Sequence, residues 1–192
     1  MKCHVDLAKL DKDLPLTALG VIGFDENGRY IEESLSNYKS IDLSQIVHEG
    51  CIINEIEAES TTGIALRNDK GILEENMSSA LAALKAMGVS KWAVIHAAEG
   101  GYGLDCTSGE IVKLKSLNLP DGYIKGTNGA GDAFCSGVLY GAYLEKFLSE
   151  AIELGIGCAA CSLSEPGATE GMRCYEEVIK LYNEMKLNAR NK

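Results

Sequence analysis

A glycine-rich turn at residues 126–131 is followed at once by an acidic residue and a helical repeat. After the turn, apolar residues recur at roughly helical spacing, at Phe134, Val138, Leu139 and Leu144. Before it, residues 123–125 read as the end of a short extended segment. The sequence therefore predicts that the turn joins extended chain to the N-terminus of a helix.

This arrangement suits an anion. Gly129 and Gly131 permit backbone angles that side chains forbid, so successive N–H groups can converge where the helix dipole also favours negative charge. Asp132 would repel a phosphate unless it faces a second substrate and accepts a hydroxyl proton, which is what phosphoryl transfer requires. On local chemistry alone, an Asp near a helix N-terminus after a glycine turn is an equal alternative.

A second pattern is Asn54 followed three residues later by Glu57. On local sequence the stronger interpretation is a capping box at the start of a helix.

The part of the chain around the glycine turn resembles the C-terminal signature of the ribokinase-like, or PfkB, carbohydrate kinase family. The matching positions are Thr127, the run from Gly129 to Asp132 and residues 136–139. The resemblance implies that Asp132 is the general base. It also implies that the amides of Gly129, Ala130 and Gly131 form the anion hole.

The same resemblance implies sites for nucleotide and metal. Asn54 and Glu57 match the family's Asn-x-x-Glu motif, which organises Mg²⁺ largely through water beside the phosphates of ATP. The positions that match nucleotide contacts are Thr127, Asn128, Gly101 and Gly167. Near Gly101, His96 and Ala98 replace the family's usual Thr and first Gly. Gly126 stands where many members have an Asp associated with a monovalent cation, so the resemblance does not extend to K⁺.

The expected fold class is α/β, with a ribokinase-like parallel-sheet nucleotide-binding core flanked by helices and incomplete relative to the family. The predicted elements are a helix at 78–87, a strand at 92–96, a hairpin at 102–117, a helix at 149–164 and a final helix to about 187. We expect one kinase domain over residues 1–192.

Two departures from the family concern length. Residues 7–10 and 16–30 resemble the early part of these kinases, but the preceding sugar-gripping segment is missing. A second segment is missing near residues 47–51, where relatives have the lid and several βα units. Because inner strands would then be lost, exposed sheet edges could be covered by a second subunit, so a homo-oligomer is one hypothesis.

Composition restricts the partners. A formal net charge of −10 over 192 residues disfavours nucleic acid, and no apolar run is long enough to span a membrane. A cytoplasmic location is expected, because the first residues lack a signal-peptide core. Seven cysteines, with Cys158 and Cys161 in an apolar helical stretch, are interpreted as reduced core thiols and not as a zinc site.

The sequence thus predicts an ATP- and Mg²⁺-dependent kinase acting on a hydroxyl of a sugar or sugar-like small molecule. The alternative is a catalytically inactive fragment or degenerate paralogue that retains nucleotide binding. A nucleoside kinase or a hydroxymethylpyrimidine-type kinase of the same superfamily is a third hypothesis.

Overall fold

The computed structural model describes residues 16–21, 26–37, 41–47 and 50–190. Its strands are β1 Leu16–Val21, β2 Ile41–Val47, β3 Gly50–Asn54, β4 Arg67–Asn68, β5 Gly71–Ile72, β6 Trp92–Ala97, β7 Gly100–Asp105 and β8 Ile111–Lys115. Its helices are α1 Glu26–Ser36, α2 Glu55–Thr62, α3 Glu74–Ala86, α4 Ala130–Tyr143, α5 Leu148–Ser162 and α6 Tyr175–Arg190.

The main sheet has four strands in the order β3-β6-β7-β8. β3 and β6 are parallel, whereas β7 runs antiparallel to both of its neighbours, β6 and β8. The connection from β3 to β6 contains α2 and α3, as a parallel pair requires. The predicted α/β class with parallel wiring is confirmed.

Strand β6 is the centre of the packing because its residues are apolar on both faces. Ala93 and Ile95 pack with residues of α2 and α3 on one face, and Trp92 and Val94 pack with residues of α4 and α5 on the other. Ala93, Val94 and Ile95 are fully buried. The sheet therefore has a layer of helices on each side, which explains why this strand shows no polar alternation.

Helices α4 and α5 approach each other closely at glycines. A Cβ built at Gly137 would lie 2.7 Å from the Cα of Gly155, and one built at Gly141 would lie 2.7 Å from the Cα of Ala151. These distances leave no room for a side chain. Backbone-to-backbone packing thus fixes α4 against α5.

A third cluster joins α4 and α5 to α6. Ala133, Leu154, Val178 and Leu181 are buried in it together with Cys158 and Cys161. Burial raises the pKa of Cys158 to about 12, so its thiol stays protonated at neutral pH. The prediction that these two cysteines are core thiols is confirmed, and no disulfide joins the cysteines of the described residues.

Most predicted elements exist, with shifted ends. The helix predicted at 78–87 begins earlier, at Glu74, where Glu74 and Glu75 complement the dipole of its first turn. The hairpin predicted at 102–117 is β7 with β8. Residues 123–127, where the sequence indicated the end of a short extended segment, belong to no strand or helix. Instead, the Lys125 amide donates to the Leu163 carbonyl at 2.9 Å.

Strands β1 and β2 form a separate parallel pair, with α1 between them in sequence. Part of the early segment that resembles the kinases, residues 7–10, lies outside the described residues. Among the helices that are described, none has the length and hydropathy needed to cross a membrane.

The close contact between α4 and α5 yields a stability prediction. Gly137→Ala should lower the free energy of unfolding by about 1–3 kcal/mol, because its methyl group collides with Gly155. In a solvent-exposed helix, replacing Gly by Ala raises the free energy of unfolding by roughly 0.5–1 kcal/mol. A decrease in the free energy of unfolding therefore indicates that the glycine is needed for packing. Urea denaturation measures the difference. Ser79→Ala on the exposed side of α3 is the control, and a Gly137→Ala protein as stable as wild type would contradict this packing.

Candidate functional site

The carboxyl ends of β3 and β6 lie side by side. Asn54 is the last residue of β3, and its register partner on β6 is His96. Ligand sites in α/β proteins gather at this edge of the sheet, because parallel strands present their loops there together. α2 begins directly after Asn54, so its first turn belongs to the same edge.

The glycine turn, residues 126–131, begins α4 at this place. Gly129 is the N-cap and has φ 75°, in the left-handed region that favours glycine. A Cβ there would also lie 2.7 Å from the carbonyl oxygen of Ala168. Asp132 follows in the first helical turn with an exposed side chain. The predicted turn-to-helix geometry is therefore present. At its start, the Ala130 amide donates to the Thr127 carbonyl at 3.5 Å and the Ala133 amide donates to the Gly129 carbonyl at 2.8 Å.

His96 lies beneath the glycine turn. A Cβ built at Gly131 would lie 3.1 Å from Cε1 of His96, and the imidazole packs on the ring of Phe134 with 4.8 Å between centroids. Phe134 is itself buried against β6 and α5. The imidazole thus contacts the start of α4 directly, and this contact joins the sheet edge to the glycine turn.

The pKa values of two neighbouring groups show which charges converge here. Burial lowers the pKa of His96, against the opposing effect of the carboxylates of Glu55, Glu57 and Asp132. Burial also raises the pKa of Cys135, and the charges of Asp132 and Glu57 add to that rise. The carboxylates of Glu57 and Asp132, which are 75 residues apart in sequence, therefore both lie close enough to His96 and Cys135 to influence their pKa values.

Asn54 and Glu57 form a complete capping box. The Glu57 amide donates to Oδ1 of Asn54 at 2.9 Å, and the Asn54 amide donates to Oε2 of Glu57 at 2.9 Å. The pair uses one oxygen of the Glu57 carboxylate, so it does not exclude an ion held through water. Among the described residues, no group of three or more His, Cys, Asp or Glu side chains is arranged to hold a metal directly. The capping role is observed, and the metal role stays a prediction.

Arg67 ties the loops around this edge together. Its guanidinium donates to both oxygens of Glu99, at 2.9 and 2.7 Å, and its Nε donates to Glu55 at 3.1 Å. The bond to Arg67 lowers the pKa of Glu99, and the two carboxylates raise that of Arg67. Because the cluster is partly exposed, its effect is mainly to orient the first turn of α2 and the β6–β7 turn.

The four predicted nucleotide-binding residues lie in different surroundings. Thr127 and Asn128 are exposed in the glycine turn. Gly101 is buried, and a Cβ there would lie 2.6 Å from Ile152, so packing alone accounts for this glycine. Gly167 lies in the loop after α5, with the carboxylate of Glu170 against it. Their contacts with nucleotide stay predictions.

Sequence reasoning missed three contributors: His96, Cys135 and Arg67. The sequence indicated His96 only as a replacement for the family's usual Thr, although its place at the end of the predicted strand 92–96 is a usable signal. Cys135 follows Asp132 by three residues, which puts both on one side of a helix. Nothing in the sequence pairs Arg67 with Glu99, because they are 32 residues apart.

The sequence model described as pfkB family carbohydrate kinase matches residues 50–173, which contain the whole of this site. The chain belongs to that family. The ribokinase-like α/β fold predicted from the sequence is thereby confirmed, together with its incompleteness relative to the family.

Solved kinase structures share the fold. Phosphofructokinase-2 from Escherichia coli in complex with potassium matches with a TM-score of 0.64 and 14% identity, over 95% of this chain and 62% of that chain. Arabidopsis thaliana ribokinase complexed with ribose and ATP gives 0.57 and 15%, over 91% and 85%. Fructokinase from Vibrio cholerae O395 in fructose-, ADP- and calcium-bound form gives 0.54 and 19%, over 70% and 41%.

The pfkB chain spans 62% of the phosphofructokinase-2 chain and 41% of the fructokinase chain, and between 40% and 58% of two further solved sugar kinases of this fold. A comparison with curated protein sequences gives no match. At identities below 25%, the solved structures establish the fold, and activity requires a separate argument.

The capping box gives a prediction that is independent of any metal. Asn54→Ala should lower the free energy of unfolding by about 1 kcal/mol, because the Glu57 amide loses its acceptor. Asn54→Ser should recover most of this loss, since serine also caps helices well. Thermal or urea denaturation in metal-free buffer measures both variants, and an unchanged Asn54→Ala protein would show that the cap contributes nothing.

The environment of His96 gives a pH prediction. Because folding lowers the pKa of His96, the unfolded state binds the extra proton, and stability falls as pH drops below the unfolded value of about 6.5. His96→Gln should therefore flatten the loss of unfolding free energy between about pH 7.5 and 5.5. Carboxylates with lowered pKa, such as Glu99, stay ionised over that range. Parallel pH curves for wild type and variant would contradict the assignment.

Proposed function

We propose that this pfkB chain catalyses ATP-dependent phosphorylation of a hydroxyl on a sugar or sugar-like small molecule. The observation that supports it is the meeting of the glycine turn and Asp132 with the carboxyl ends of β3 and β6. There a Cβ built at Gly131 would lie 3.1 Å from Cε1 of His96, which is the register partner of Asn54. Family membership and the kinase fold of the solved neighbours agree with this reaction class.

In the proposed reaction Asp132 accepts the proton of the acceptor hydroxyl. The hydroxyl oxygen attacks the γ-phosphorus of ATP, a new P–O bond forms, and the bond to the β-phosphate oxygen breaks to release ADP. The amides of Gly129, Ala130 and Gly131 stabilise the charge that develops on the transferred group, since they are oriented before the reaction begins.

Asn54 and Glu57 would hold Mg²⁺ through its water ligands. When bound, the ion would neutralise phosphate charge beside the Glu57 carboxylate and the Asn54 carboxamide. The capping box supports the assignment because it fixes both side chains at the mouth of the site before any ion arrives. Thr127, Asn128 and Gly167 would border the nucleotide, as loop residues beside the first amides of α4.

A second candidate function is nucleotide binding without transfer, by a fragment or degenerate paralogue. The observation that favours it is length, because the chain spans as little as 39% of a related kinase structure. In that case the acceptor side would be incomplete while the glycine turn remained. The single-domain boundaries, the cytoplasmic location and the homo-oligomer also stay predictions.

Asp132→Asn tests the reaction. With a panel of sugars and nucleosides and coupled detection of ADP, the variant should turn over roughly 10²–10⁴-fold more slowly, because amide nitrogen cannot accept the proton. Its unfolding midpoint should stay close to that of wild type, since Asp132 is exposed. Asp121→Asn, an equally exposed carboxylate in the preceding loop, is the matched control.

The outcomes separate the two candidates. Turnover by wild type and Asp121→Asn but not by Asp132→Asn supports the kinase. Equal turnover by all three proteins removes Asp132 from the mechanism. A Mg-ATP-dependent rise in the unfolding midpoint with no turnover of any acceptor favours the binding-only alternative.

A further inference from the structure

The glycine turn is held by a second loop, residues 163–168, which follows α5. The two segments meet at Gly126 and again at Gly129. A Cβ built at Gly126 would lie 2.6 Å from the carbonyl oxygen of Pro166 and 2.9 Å from its Cα. A Cβ built at Gly129 would lie 2.8 Å from the Cβ of Ala168. Backbone therefore packs on backbone at both ends of the turn.

Polar contacts reinforce this packing. The Lys125 amide donates to the Leu163 carbonyl at 2.9 Å, and its Nζ lies 3.3 Å from the Glu165 carboxylate. From the end of α5, the Ser162 hydroxyl donates to the Asn128 carbonyl at 3.4 Å. These contacts reach the turn from one side, whereas His96 supports Gly131 from the sheet.

A monovalent cation is the group that the family would lead one to expect near Gly126. The residues present do not fit it. Gly126 offers no carboxylate, and the space in which a side chain would begin is filled by Pro166. Any side chain there, an aspartate included, would have to displace the loop backbone, because a real Cβ does not approach a carbonyl oxygen to 2.6 Å.

We propose that direct packing of residues 163–168 on Gly126 and Gly129 positions the anion-hole turn, so that the turn is ordered without K⁺. Pro166 and Ala168 are then positioning residues, because they act on phosphate only through the amides of residues 129–131. The proposal rests on the proposed function for its effect on nucleotide, but the order of the turn can be measured without nucleotide.

Hydrogen exchange of the free protein, read by mass spectrometry over residues 126–131, tests the order of the turn. Wild type should show the same protection in K⁺ and in choline at equal ionic strength. Gly126→Ala should exchange roughly tenfold faster or more, because the methyl group separates the two loops. Thr169→Ala, exposed in the same stretch and outside the contact, should exchange like wild type. Stronger wild-type protection in K⁺ would overturn the proposal.

Thermal unfolding with Mg-ATP separates this proposal from the proposed function. A wild-type midpoint that rises equally in K⁺ and choline supports both, because a ligand of the folded state stabilises it by mass action. If Mg-ATP raises the unfolding midpoint in neither salt, and hydrogen-exchange protection is equal in the two salts, nucleotide binding is contradicted. The positioning of the turn by residues 163–168 is then still supported. If Mg-ATP raises the unfolding midpoint only when K⁺ is present, the proposal that the turn is ordered without K⁺ is wrong, and nucleotide binding remains supported. If Gly126→Ala fails to fold, the comparison of salts on wild type decides.

Discussion

The close approach of α4 to the rest of the chain is the constraint on which the site depends. Gly137 and Gly141 bring α4 onto α5, and Gly101 leaves space on β7 for Phe134 and Ile152. With any larger residue at these positions α4 would move outward by part of a side-chain diameter, and its first turn would leave the end of β6. Phosphoryl transfer depends on placement to a fraction of an ångström, so this packing and the proposed chemistry are linked.

The sequence predicted the parts of the structure that depend on local pattern. The helical repeat after residue 131, the apolar strand at 92–96 and the capping box at Asn54 are all observed, because period and cap chemistry act within a few residues. The segment before the glycine turn belongs to no strand, and its Lys125 amide donates to the Leu163 carbonyl in the loop after α5. Hydrogen bonds between residues far apart in sequence cannot be predicted from the pattern of neighbouring residues.

The candidate site shows the same division. Asp132, Asn54 and Glu57 could be named from motifs, but their convergence required the parallel register of Asn54 with His96. Gly101 shows the opposite case, in which a position matched to nucleotide binding is buried and has a sufficient reason in packing. Glycine is ambiguous in sequence because close packing and ligand approach both require the absence of a side chain.

The carboxylates of the candidate site give it a negative charge that opposes phosphate binding. Glu57 and Asp132 would repel a nucleotide triphosphate, and burial keeps His96 from adding a compensating positive charge at neutral pH. Arg67 is paired with both Glu55 and Glu99, whose two negative charges exceed its single positive charge. In the proposed reaction, attraction for phosphate would come from the amides at the start of α4 and from a divalent ion near Glu57. Nucleotide affinity should therefore depend on Mg²⁺ more steeply than in a site lined by Arg and Lys. Without the ion, repulsion by Glu57 and Asp132 should weaken nucleotide binding.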